Sequence, residues 1–355
     1  MHDENSFRRN RKIEHIQCFL ALKDGPVASG LEDLNLIHQA LPELNFEDID
    51  LSVEFMGKRL DAPIIINAIT GGNQEVLSIN RALAQVAREF NLAMAVGSQT
   101  AALENPAVRE TYQVARQENP AGVLLANIGA LVAPEQALQA VEMIQADALQ
   151  VHLNVPQELA MDEGDRTFVG VLANLSRIVE VCPVPVMVKE VGFGLSREVI
   201  TRLAETGVQW VDIGGQGGTN FIAIENQRGK SLVSDSLETW GIPTAISLLE
   251  TLAQNHHFKV VATGGIRSAL DVAIVLAVGA DLAGMAGPIL RLLIQESTAA
   301  LQMALTKMLY ELRCVFLMTG AKNLQELQRK PVVITGKTRE WLAQRGIETA
   351  HYAQR

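Results

Sequence analysis

The segment HLNVPQE (152–158) carries the most polar cluster on any apolar run of the chain. In an extended backbone His152 and Asn154 share one face, and Gln157 and Glu158 open the loop beyond. Glu158 suits Mg²⁺, which takes one or two carboxylates together with the oxygens of a diphosphate. His152 taken alone reads as a hydrogen-bonded core histidine; inside this cluster it reads equally as a ligand contact. A second candidate is Lys189, an ammonium within the otherwise apolar VPVMVKEVG (184–192). Such a lysine must be paired or desolvated, which makes it a functional candidate. Its structural alternative is a salt bridge to Glu190 or to another strand, although alternation sets Glu190 on the opposite face.

Phosphate chemistry is written further along. Two glycine-rich turns, Gly264-Gly265 and Gly284 through Gly287, each follow an apolar run. Glycine lets backbone N–H groups approach an anion, a helix N-terminus adds to their field, and Arg267 adds charge-assisted hydrogen bonds. One such turn is only a tight turn. Two of them, at the seventh and eighth of eight strands, fall where a (β/α)₈ barrel often binds phosphate. Thr70 in AITGG (68–72), Ser98 and Asn127 end three earlier runs with neutral groups suited to the pyrimidine edge of a flavin. Lys189 beside N1 and C2=O would stabilise the reduced flavin anion. The flexible DIGGQGGTNF (212–221) offers Thr219, and neither histidine nor cysteine occurs between positions 212 and 240. Flavin barrels that oxidise α-hydroxy acids place a histidine base near here, and nucleotide dehydrogenases of this fold use a loop cysteine. In RRNRKIEHI (8–16), Arg8, Arg9, Arg11 and Lys12 form either a solvated tail or a diphosphate clamp over the barrel mouth.

The elements that position these groups alternate. Strands are expected at 63–69, 92–97, 122–129, 148–154, 184–192, 208–215, 259–265 and 281–287. Amphipathic stretches separate them, such as 78–90, where Leu83, Val86, Ala87 and Phe90 recur at helical spacing. Eight near-continuously apolar strands imply a parallel sheet covered outside, and eight close into a barrel. A doubly wound open sheet is the competing topology; polar residues after nearly every strand favour the ring. The expectation is an α/β fold, a (β/α)₈ TIM barrel over 63–355 with an N-terminal extension, 1–62, packing on its mouth. That extension has loop composition with one short helix. Residues 216–243 form a long loop after strand six, either a lid or an inserted hairpin. Residues 291–330 complete the outer helical ring.

The 355 residues are 48% hydrophobic and 20% charged, a globular composition. A net charge of −10 argues against a nucleic-acid partner. Cys18, Cys182 and Cys314 have no paired spacing, which suits a reducing cytoplasm. The polar N-terminus holds no secretory segment, and no apolar run approaches a membrane span.

Together these residues resemble the type 2 isopentenyl diphosphate isomerases, which need FMN. The resemblance covers nearly the whole chain, through RKIEHI, NAITGGN, AVGSQ, NIGA, HLNVPQE, VMVKEVGFG, DIGGQGGTNF, ATGGIRSALDVA and GMAGPIL in order. HLNxxQE, RKxEHI and KExGFG are the specific strings; the glycine turns also fit other FMN barrels. The resemblance implies a 1,3-allylic shift of a double bond in a five-carbon diphosphate, as part of isoprenoid biosynthesis. It implies reduced FMN, whose N5 would deliver and recover a proton, Mg²⁺ on Glu158, and NADPH or NADH as flavin reductant. Arg11, Lys12, His15, Ser98, Gln99, Thr100, Asn154 and Gln157 would meet substrate, with Gln157, His152 and Lys189 as catalytic candidates. Ala68, Ile69, Thr70, Gly71, Ser98, Asn127, Lys189, Gly214 and Thr219 would surround the flavin. Gly264, Gly265, Ile266, Arg267, Ala286 and Gly287 would hold its phosphate. Position 100 is Thr100 where the family has an arginine, and Gly214 stands for a common serine. The resemblance also implies a homo-oligomer, tetramer or octamer. The alternatives are an FMN oxidoreductase acting on hydroxy acids or nucleotides, and a non-catalytic flavin-binding barrel.

Overall fold

The computed structural model describes residues 2–22, 25–229, 231–254 and 258–355, with side chains from Lys12 onward. Eight parallel strands close a barrel in chain order. They are β1 (Ile64–Ile66), β2 (Ala93–Ala95), β3 (Leu124–Gly129), β4 (Ala148–Leu153), β5 (Val186–Glu190), β6 (Trp210–Asp212), β7 (Lys259–Thr263) and β8 (Leu282–Met285). The ring shuts where β8 pairs with β1, Ala283 opposite Ile64 and Met285 opposite Ile66. All eight lie where the sequence predicts strands.

Alternation explains the near-continuous apolar runs. Outward residues such as Ile64, Ile66, Leu149 and Val151 join the helices in the large outer core. Inward residues such as Ile65, Leu125, Met187 and Val261 form a separate cluster in the lumen. Both faces are covered, so polar residues survive only near the strand ends.

The lumen is sealed at its N-terminal end by a hairpin, Val53–Phe55 paired with Lys58–Leu60. Phe55 and Leu60 are buried within the lumen cluster, and the Phe55 ring meets Trp210 edge-on at 4.9 Å. Lys58 Nζ donates to the carbonyls of Ala121 and Gly122 and pairs with Asp147 at 2.6 Å, across the loops entering β3 and β4. The barrel can therefore open only at its C-terminal mouth.

Residues 1–62 divide between the two ends instead of packing on the mouth as a unit. Helix α1 (His2–Ala21) is far longer than the short helix expected. Its composition is polar, but Ile16, Phe19 and Leu20 recur at helical spacing and bury against Ile224 and Leu290. The strand Leu34–Leu36 pairs antiparallel with Val332–Ile334, and the hairpin plugs the far end. The stretch after β6 is not a hairpin either. It holds α2 (Phe221–Arg228), started where the Asn220 side chain accepts from the Ala223 amide and stopped by Gly229.

Helices α3 (Ala269–Val278), α4 (Gly287–Gln295) and α5 (Thr298–Thr319) complete the ring as expected, α5 burying Leu301, Leu305, Leu312 and Phe316. Among the described residues, no helix is long and apolar enough to cross a membrane.

Because Phe55 fills the closed end, Phe55→Ala should cost about 3–5 kcal/mol in urea unfolding. A loss below about 1 kcal/mol, smaller than large-to-small core changes produce, would contradict the sealing role.

Candidate active site

A cavity of about 1170 Å³ opens at the C-terminal mouth. Its wall includes Ala68, Ile69, Thr70, Ser98, Thr100, Asn127, His152, Asn154, Gln157, Glu158, Lys189, Gly214 and Thr219. It also includes Gly264, Gly265, Ile266, Arg267, Ala286 and Gly287 beyond β7 and β8, and Lys12 and His15 from α1. Residues distant in the chain meet here because every strand points the same way.

The floor is a continuous hydrogen-bonded chain of buried polar side chains. Asp212 Oδ2 accepts from Lys189 Nζ at 2.9 Å and from Asn67 Nδ2 at 2.6 Å. Asp212 Oδ1 accepts from the Thr263 hydroxyl and from the Gly214 amide at 3.2 Å. Gln150 Nε2 donates to Asn67 Oδ1 at 3.0 Å, Asn127 Nδ2 donates to Gln150 Oε1 at 3.0 Å, and Asn127 Oδ1 lies 2.9 Å from His152 Nδ1. The partner that Lys189 required is thus on the neighbouring strand, directly opposite it in the β5–β6 register. Glu190 faces outward, accepting from the Phe193 and Gly194 amides at 2.5 and 2.9 Å, and burial pushes its carboxyl up to about 8. Burial also pushes the His152 imidazole down to about 3, with Lys12 and Lys189 adding to the effect.

At the other side of the mouth the turn after β7 bends through Gly264 and Gly265, with φ of 110° and 70°. A Cβ at these positions would lie 2.0 Å from Gly215 O and 2.5 Å from Gly217 O, so only glycine lets the backbone pass. The N-terminus of α4 opens at Gly287, and Arg267 donates to the Gly265 and Gly217 carbonyls. Above, α1 is tied to α2: His15 Nε2 lies 2.7 Å from Glu225 Oε1, and Arg228 bridges Glu225, Glu14 and Glu163. Burial raises the Glu225 carboxyl, but His15 and Arg228 outweigh it and hold the group below its ordinary value.

Two predicted residues sit behind the wall. Gln99 is wholly buried; its amide donates to Ala140 O at 2.9 Å and accepts from the Asn127 N–H at 3.0 Å, bracing Asn127 from outside the cavity. Gly71 backs onto Tyr112, whose Cε1 is 2.1 Å from where a Cβ would stand. The Arg11 side chain lies outside those described. Sequence reasoning missed Asp212, Asn67, Gln150, Thr263, Glu225 and Arg228. For Asp212 a signal existed: a lone acid ends one apolar strand as the lone Lys189 nears the end of the strand before it.

The residues fit FMN. Thr70 Oγ1 is buried on the wall with no hydrogen-bond partner among the described residues, as a site for a polar ligand leaves it. The glycine turns and the α4 N-terminus would hold the phosphate, and Thr70, Asn127 and Lys189 the ring. For a metal the donor set is sparse. No group of three or more His, Cys, Asp or Glu among the described residues could hold one. Glu158, accepting from Asn154 Nδ2 at 2.7 Å and the Asp165 amide at 2.9 Å, offers one carboxylate, which suits Mg²⁺ only alongside substrate oxygens.

Residues 108–334 match the family model described as FMN-dependent dehydrogenase. The chain is 52% identical over 336 residues to an isopentenyl-diphosphate delta-isomerase of Moorella thermoacetica, covering 94% of this chain and 96% of the relative. It is 46% identical over 358 residues to one of Symbiobacterium thermophilum, covering 98% of each. Among solved structures, a mandelate oxidase variant with (S)-mandelic acid matches with a TM-score of 0.67 at 19% identity, over 90% of this chain and 94% of that one. At that identity the likeness is one of fold.

His152 stays neutral in the folded protein down to about pH 3, whereas it titrates near 6.5 when unfolded. Between these values the unfolded chain binds the extra proton, so stability falls as pH falls, with a slope approaching about 1.4 kcal/mol per pH unit. His152→Gln should flatten the urea-unfolding free energy by up to that slope between about pH 6 and 4; parallel curves would mean that the folded imidazole is already protonated there.

Proposed function

The chain belongs to the isopentenyl-diphosphate delta-isomerases within the FMN-dependent dehydrogenase family and is an isomerase, and we propose that it shifts the double bond by protonation and deprotonation with reduced FMN and Mg²⁺. The observation that carries this reading is that the HLNVPQE cluster, Lys189 and the phosphate cradle all open into one cavity.

The reaction adds a proton at one carbon and removes one at another, with no net redox change. An isolated alkene is a poor base and needs a strong acid. No side chain of the floor is one: Gln157 is an amide, His152 is neutral, and Lys189 is held by Asp212. Reduced FMN supplies, when bound, the proton exchange that these groups do not.

The side chains do the rest. Lys189 has two N–H groups beyond the one given to Asp212 and would set a positive charge beside the flavin ring. Lys12 would meet the diphosphate, Arg11 being a candidate from its place in the sequence alone, and Glu158 would hold Mg²⁺. Thr100, whose hydroxyl lies 3.1 Å from that of Ser98, supplies a neutral contact where the family arginine would stand. Apolar wall residues such as Ile69 and Leu153 keep water from a cationic intermediate. NADPH or NADH serves only to reduce the flavin. We also infer a cytoplasmic protein and a homo-oligomer, tetramer or octamer; the exposed Met303, Tyr310 and Met318 along α5 support self-association.

Oxidised enzyme should be inactive, and dithionite alone should restore conversion of isopentenyl diphosphate; NAD(P)H consumed one-to-one with product would refute the non-redox course. Glu158→Gln should keep the flavin spectrum yet lower Mg²⁺ affinity by at least the roughly 10–100-fold that losing a mere support of a ligand brings. Unchanged Mg²⁺ dependence would remove Glu158 from the metal site.

A further inference from the structure

Hydrogen-bond direction on the cavity floor determines a property that no single contact does. The Asp212 carboxylate is surrounded by donors only: Asn67 Nδ2, Lys189 Nζ, the Thr263 hydroxyl and the Gly214 amide. A carboxylate only accepts, so Asn67 must turn its NH₂ toward Asp212 and its oxygen away. That oxygen accepts from the Ala68 amide at 2.8 Å and from Gln150 Nε2 at 3.0 Å. Gln150 is therefore oriented too, and its other N–H meets Met187 Sδ at 3.6 Å. Its oxygen faces Asn127 Nδ2, which leaves the Asn127 oxygen facing His152 Nδ1 at 2.9 Å. An amide oxygen cannot donate, so the proton of the neutral ring sits on Nδ1. Nε2 makes no hydrogen bond among the described residues, and the ring lines the cavity.

We propose that Asn67, Gln150 and Asn127 are positioning residues that carry the acceptor polarity of Asp212 across the barrel and hold His152 as the Nδ1–H tautomer, with the Nε2 lone pair presented to the substrate pocket. Every amide in the chain has one orientation that satisfies both neighbours, and reversing any of them sets donor against donor or oxygen against oxygen. The pocket face of His152 is thereby an acceptor. It takes a hydrogen bond from an N–H or O–H donor and offers none to a diphosphate oxygen. What that acceptor meets rests on the isomerase reading; the tautomer itself does not.

The test is ¹⁵N NMR of histidine-labelled, FMN-loaded protein at neutral pH, with His152 assigned by its absence in His152→Gln. The expected spectrum shows a protonated Nδ1 and a bare Nε2 for His152. A protonated Nε2 in the parent protein would overturn the proposal without any variant. Gln150→Met removes the central amide while Asp212 and Asn67 stay paired, so Asn127 is freed to turn. An Nε2–H signal should then appear, and kcat should fall about ten-fold, the worth of one hydrogen bond, with KM little changed. Gln150→Met that folds and keeps the pure Nδ1–H form would also overturn it. Gln150→Glu, buried and therefore protonated, donates to Asn67 and accepts from Asn127, so the original tautomer should persist; its loss there would count against the relay. If the tautomers behave as expected while reduced protein fails to isomerise isopentenyl diphosphate, the relay stands and the isomerase reading falls.

Discussion

The mouth of this barrel is organised around one buried carboxylate. Asp212 is fully enclosed in the lumen, where an uncompensated charge would cost several kcal/mol. Its compensation comes from four donors carried by residues at the ends of β1, β5, β6 and β7. A single side chain thus ties strands from both sides of the ring, at the level where apolar filling gives way to polar groups. The same bonds that stabilise the charge position the ligand-facing atoms. Lys189 is drawn down to Asp212, and the turn at Gly214 is held by its amide.

How much of this could be read from sequence follows from how local each signal is. The strands were legible because covering on both faces makes each an uninterrupted apolar run. The glycine turns at the ends of β7 and β8 were legible because a Cβ at Gly264 would fall 2.0 Å from the Gly215 carbonyl oxygen and one at Gly284 2.2 Å from the Thr263 methyl, which leaves room for no other residue. Gln150 and Asn67 were not, since each is one polar residue in an apolar strand and its partner lies across the lumen. Gln99 misled for the opposite reason. It adjoins Ser98, which does face the cavity, but the chain turns into a helix there and sends Gln99 outward to brace Asn127. The helical content of residues 1–62 and 216–243 was hidden by composition, because α1 and α2 are stabilised by each other and by the barrel more than by their own sequences.

Floor and roof are built on different principles. The floor is a connected network of hydrogen bonds among polar side chains at the strand ends. The roof is held by ion pairs about Arg228, which is buried against Glu225 and reaches the partly exposed Glu14 and Glu163, and by His15 against Glu225. Arg291 adds a clasp, donating to the carbonyls of Phe19, Leu20 and Leu22 with its guanidinium 4.6 Å from the Phe19 ring. The contacts to Glu14 and Glu163 are partly exposed and individually weak, whereas Arg228–Glu225 is a buried pair. A ligand entering a cavity that is closed below must pass this roof.

The contrast between fold and chemistry lies in the floor as well. A flavin barrel that oxidises an α-hydroxy acid needs a base able to take a proton near neutral pH. Here the stretch 212–240 holds no histidine. His152, the floor histidine, is depressed to about 3, which leaves it a hydrogen-bond acceptor and too weak a base for that step. His15, the other histidine on the cavity wall among the described residues, is engaged with Glu225. Amides neither give nor take protons in this range, and Lys189 is engaged with Asp212. Such a floor can hold and orient a ring and a small anion, and under the proposed function the proton exchange of a double-bond shift without net oxidation would fall to the bound cofactor.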